Sequence, residues 1–169
     1  MSSRNAIFCS LGLYAAVLAL VAVPEAGILR ADVSKPILVG DGIVEVKSGY
    51  SFDETTTRLK ADIAAKGIKF FMAVDQSQLA VDAGIKLRPS TLLIFGNPPL
   101  GTQFITANPN AGLDWPVRLL VTEDEKGDVR AVYTDFKWIA QRHGIANRDA
   151  QFKMASNVIA SITSAVAAK

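Results

Sequence analysis

The stretch Pro116 to Phe136, "PVRLLVTEDEKGDVRAVYTDF", restricts the fold more than any other part of the chain. Two runs rich in Val and Leu, residues 117–123 and 128–134, carry alternating inward and outward side chains and are joined by a turn at Lys126-Gly127. A hairpin commits the chain to antiparallel pairing. Two strands alone are marginal in water, so more strands and a covering layer must come from elsewhere in the sequence.

Three further strands are legible. "GIVEVKS" (42–48) sets Val44 and Val46 on one side against Glu45 and Lys47 on the other. "IKFFMAVDQ" (68–76) alternates as well, and its period places Ile68, Phe70, Met72 and Val74 on an inner apolar face. "STLLIFG" (90–96) is apolar on both sides, which predicts a central strand.

The covering layer is helical. Ser51 and Glu54 form a capping box ahead of a helix over 52–66, with Phe52, Thr56, Leu59 and Ile63 on one stripe and Gly67 as its stop. A short helical segment ends at Gly84. A long one over 149–168 carries Phe152, Ala155, Ile159, Ile162 and Val166 on one stripe. The pattern predicts an α+β fold, a mainly antiparallel sheet of about five strands with helices packed on one face. The second sheet face, read as including Phe71, Ala73, Leu92 and Ile94, is then apolar enough to need a partner.

Residues 1–31 read as an export signal, with Arg4 ahead of an uncharged apolar run that ends at Pro24, or alternatively as an uncleaved N-terminal anchor. Residues 32–41 read as a linker broken by Pro36 and Gly40, and 42–169 as one domain. The expected location is periplasmic or secreted, or membrane-anchored facing the periplasm if the segment is retained. Cys9, the sole cysteine, lies inside that segment, so an exported chain has neither disulfides nor thiolate chemistry. Lys and Arg number 18 against 16 Asp and Glu, a balance that excludes the domain-wide basic footprint of a nucleic-acid binder.

"FGNPPLGT" (95–102) has the G-x-x-x-x-G spacing of a phosphate loop, but Thr102 stands where Lys belongs, and Pro98 and Pro99 bring no N–H donors. Gly96, Pro98, Pro99, Gly101 and Thr102 therefore read as a structural corner, in which glycine supplies an unusual φ and the prolines start a helix. Asp75, Asp114 and His143 are the candidates for acid-base work, and Gln76, Arg88, Asn97 and Arg118 for ligand contacts. One His among scattered carboxylates gives no metal spacing, and no cofactor is implied.

"AVDQSQLAVDAGIKLRPSTLLIFGNPPLGTQFI", "GLDWPVRLLVTEDEKGDVRAVYTD" and "IAQRHGI" together resemble the domain of unknown function 302 family over about Val44 to Ile145. "LRPSTLLIFGNPPLGT" is the most specific element. The resemblance implies a β-α-β(4)-α fold of the TATA-binding-protein-like class and a homodimer, and it carries no catalytic residues. Many members have His where this chain has Gln76.

Two functions follow as expectations. The first is an exported, non-catalytic domain that binds a small ligand or an envelope protein as a dimer. The second is a small-molecule enzyme using Asp75, Asp114 and His143.

Overall fold

The computed structural model describes residues 35–169, and the expected signal or anchor (1–31) lies outside them. The sheet has six antiparallel strands, β1 (Ile37–Val39), β2 (Ile43–Lys47), β3 (Lys69–Asp75), β4 (Ser90–Gly96), β5 (Val117–Glu123) and β6 (Val129–Thr134), in the order β1-β2-β6-β5-β4-β3. The sixth strand is β1, which lies within the segment read as a linker. It is short and exposed, without the alternation that marks a half-buried strand. The hairpin is β5–β6, and Gly127 takes a φ of +80° at its turn.

Among the described residues five α-helices accompany the sheet: α1 (Phe52–Ala65), α2 (Gln76–Asp82), α3 (Pro98–Ala107), α4 (Phe136–Arg142) and α5 (Asp149–Ser164), with a short 3-10 helix at Pro109–Leu113. Ser51 caps α1, its Oγ accepting from the Glu54 N–H at 3.4 Å. Leu59 and Ile63 of α1 are fully buried, while Phe52 and Thr56 are only partly so and Thr55 takes the buried place beside them. All five stripe residues of the C-terminal helical segment are buried. They pack over Val44, Val46, Leu93, Leu119, Val121 and Ala131, which pair in register across β2, β6, β5 and β4 on one face of the sheet.

The edge strand β3 departs from the alternation read in its sequence. A bulge between Phe70 and Met72 shifts the register, so Phe70 pairs with Phe95 on the helix side whereas Met72 and Val74 pair with Ile94 and Leu92 on the open side. The expected inner stripe is thereby split between the two faces. Ala73, pairing with buried Leu93, belongs to the helix side and not to the open face. The strand is exposed along nearly all its length. The open face carries an apolar row, Val74, Leu92, Leu120 and Val132, continuing through Glu45 to Ile37. Beside it runs a charged cluster in which Arg130 meets Asp124 at 2.6 Å and Glu45 at 3.5 Å, and Lys47 meets Asp128 at 2.9 Å.

Asp124 fixes the hairpin turn: its carboxylate accepts from the Lys126 N–H at 2.9 Å, the Asp128 N–H at 3.0 Å and Arg130 Nη1 at 2.6 Å. The Arg130 hydrogen bond, aided by the two backbone donors, holds the Asp124 pKa down to about 2. A carboxyl depressed on folding stabilises the fold above its ordinary pKa, and that contribution is lost as pH falls through the folded value. NMR titration of the Asp124 carboxyl carbon should give a midpoint near 2, and Arg130→Gln should return it toward the ordinary carboxylate range. An ordinary midpoint in the unmodified protein would show that the turn is not held this way.

Candidate functional site

At the end of the sheet where β4 terminates, the corner read as a mimic of a phosphate loop builds the wall of a cleft. Asn97 caps α3, its Oδ1 accepting from the Leu100 N–H at 3.4 Å, and Pro98 and Pro99 form the first helical positions, as expected. Thr102 Oγ1 donates to the Pro98 carbonyl at 2.8 Å. The glycines, however, serve a purpose other than the one expected. Neither Gly96 nor Gly101 has a positive φ. A Cβ on Gly101 would overlap the indole Nε1 and Cε2 of Trp115, and one on Gly96 would stand 3.0 Å from its Cζ2. Both positions are small because Trp115 occupies the space that their side chains would fill.

Phe71, at the bulge, also packs on this indole in a T-shaped arrangement, with centroids 6.1 Å apart and planes at 81°. Beyond Trp115 the cleft has a volume of about 660 Å³ and is lined by Phe95, Leu100, Phe104, Phe136 and Ile159. Phe104 is itself stacked on Phe152 at 4.2 Å between centroids, which fixes the floor. The opposite wall is a shoulder of α5: Ala150, Lys153, Met154, Asn157, Val158 and Ser161, spaced as one helical stripe beside the core stripe. Lys66, at the end of α1, completes the rim. The volume lies within the range of small-molecule sites, about 300–1,000 Å³.

Next to Trp115, Asp114 is almost fully buried, its side chain 3% exposed. It accepts from His143 Nε2 at 2.6 Å, Arg118 Nη2 at 3.0 Å and Arg142 Nη1 at 3.2 Å. Asn108 Nδ2 donates to the His143 carbonyl at 2.8 Å. These contacts tie the segment before β5 to the end of α4, and thereby set where Trp115 lies. Asp114 and His143, both candidates for acid-base work, are therefore neighbours, but the Asp114 carboxylate is saturated by three donors and neither residue lines the cleft.

Asp75 is at the far end of the sheet. It caps α2, accepting from the Gln78 N–H at 2.9 Å, and it pairs with Thr91, whereas Asp114 lies near the Phe95–Val117 end. Thr91 and Phe95 are four steps apart along the strand, roughly 13 Å at ~3.3 Å per residue. The three acid-base candidates do not share one pocket. Of the four candidate ligand contacts, Asn97 lines the cleft and Arg118 is engaged by Asp114. Gln76 and Arg88 lie at the Asp75 end, where Gln76 Oε1 accepts from Ser90 Oγ at 2.7 Å and the Arg88 carbonyl accepts from Ser77 Oγ at 3.3 Å.

Sequence reasoning missed Trp115 and the α5 shoulder. A signal for the second existed: Ala150, Met154 and Val158 repeat every four residues beside the core stripe.

The family model described as domain of unknown function DUF302 matches residues 44–168. The chain belongs to the DUF302 family. A DUF302 protein from Bacillus stearothermophilus superposes with a TM-score of 0.67 at 14% identity, covering 74% of this chain and 98% of that one, a likeness of fold. Two curated Brucella proteins, each named fluoride-specific ion channel FluC 1, from Brucella suis biovar 1 (strain 1330) and Brucella abortus biovar 1 (strain 9-941), are 38% identical over 134 residues. The match covers 78% of this chain and 53% and 50% of theirs, so the chain spans about half the length of these relatives.

Gly101→Val should displace the Trp115 indole, shift tryptophan emission to the red and cost about 1–3 kcal/mol, as overpacking does. Asp114→Ala should cost about 1–3 kcal/mol by leaving the buried His143 ring without its partner. Urea unfolding of both variants checks this. Midpoints equal to that of the parent protein would mean that neither contact holds the corner.

Proposed function

We propose that this DUF302 domain is an exported, non-catalytic binding domain that acts as a homodimer and takes a small ligand in the cleft against Trp115. The observation that carries the reading is the cleft itself: a preformed apolar space of about 660 Å³ whose wall requires two glycines. Acid-base chemistry is less well supported, because Asp114 spends its lone pairs on Arg118, Arg142 and His143, away from the cleft.

Support for the dimer comes from the opposite side of the sheet. Met72 on this face is 53% exposed and adjoins the apolar row of the open face, and Leu79, Val81, Ile85 and Leu87, in α2 and the loop after it, are exposed apolar side chains as well. Apolar surface gathered in this way marks an interaction site, and a second copy is the commonest occupant. Light scattering across a tenfold dilution should report two chains, and Met72→Lys with Leu79→Lys should reduce the mass to one. A single-chain mass for the unmodified protein rejects the dimer.

For the ligand site, a thermal-shift screen of small apolar compounds on the unmodified domain should find stabilisers whose effect is lost in Trp115→Ala. Stabilisers that act equally on both proteins bind elsewhere and would contradict the site.

A second reading draws on the relatives' name: a domain of this kind could serve beside a fluoride-conducting protein. Among the described residues no helix is long and apolar enough to cross a membrane, so in this reading the described domain contributes binding and not a helical conducting path. Increased sensitivity of cells to fluoride on deletion of the gene supports it, and unchanged tolerance rejects it.

A further inference from the structure

We infer that the ligand of the Trp115 cleft is a monoanion with an apolar body, its charged group held at the rim by Lys153. This assignment rests on the cleft reading above and adds the chemical class.

The floor of the cleft is apolar: Phe95, Phe104 and Ile159 are nearly fully buried and Trp115 lines the cleft beside them, while Asn97, Asn157 and Ser161 bring uncharged polar groups to the lining. Every charged group on the lining is positive. Lys66 and Lys153 are its two ionised side chains, and no Asp or Glu lines the cleft. The two lysines are not equivalent. Lys66 is held by Asp62, with Nζ 2.6 Å from a carboxylate oxygen, so its charge is already offset. Lys153 is exposed and pairs with no carboxylate among the described residues. Its aliphatic stem can lie along the apolar wall while the ammonium stays at the mouth in water.

The field at the rim therefore favours an anion and disfavours a cation. A ligand with several charges would leave the others against aromatic walls, where unpaired charge is costly. One anionic group on an apolar body satisfies both constraints. A straight-chain carboxylate and an aromatic carboxylate share this chemistry.

The test uses decanoate, decanol and decyltrimethylammonium below their aggregation limits, with 2-naphthoate as the aromatic arm. Trp138→Phe leaves Trp115 as the sole tryptophan, so its emission reads the cleft, and calorimetry on the unmodified protein gives the same affinities without a substitution. Decanoate or 2-naphthoate should bind, and at least one should bind about tenfold more tightly than decanol, the size of one charge-assisted contact. Decyltrimethylammonium should bind most weakly. Lys153→Ala should remove the preference for the anion, and Lys153→Glu should reverse it. If decanol binds as tightly as both carboxylates, the anion assignment is overturned while the cleft stands as an apolar site. If no probe binds or perturbs Trp115, the cleft reading fails with it. A preference for the anion that survives Lys153→Glu overturns the role of Lys153.

Discussion

The indole of Trp115 lies against the backbone of Gly96 and Gly101, and the arrangement of this end of the molecule follows from that contact. A side chain at either glycine would collide with the ring or crowd it. With the indole in place, the end of β4 and the start of α3 are held together by a side chain from the segment before β5, and the space left between this corner and α5 becomes a cleft instead of a packed core. Phe71 packs T-shaped against the same ring, which gives the bulge in β3 a structural consequence: it brings Phe71 to Trp115.

Polar chemistry next to Trp115 supports the apolar chemistry. Asp114 precedes the tryptophan directly and is bound by three donors from β5 and the end of α4. A buried carboxylate with that many partners has little freedom to move, and the neighbouring residue inherits its position. The Asp114–His143 contact, which on sequence grounds invited an acid-base reading, is better understood as what positions the tryptophan.

Much of the fold was legible because it rests on local rules. The β5–β6 hairpin, the Ser51 cap, the α5 core stripe and the Pro98-Pro99 helix start each depend on residues close in sequence. Failures came where a distant partner decides. The alternation of residues 68–76 is regular in sequence, but a bulge against β4 and an edge position left the strand exposed and divided its apolar residues between the faces. Strand β1 is too short to show a period and exists by pairing with β2. Gly96 and Gly101 read as structural in the sequence, yet the reason is Trp115, 19 and 14 residues further along, which no local spacing announces. The saturation of Asp114 is equally invisible, because Arg142 and His143 reach it from another element.

The central claim is that the Trp115 ring is seated on Gly96 and Gly101 in the free protein, with the cleft already formed. The most direct measurement is a set of NMR cross-relaxation contacts from the indole ring protons of Trp115 in the absence of any ligand. Strong contacts to the α-protons of both Gly96 and Gly101, together with one to the Phe71 ring, are the predicted result. An indole without contacts to those glycines would contradict the account.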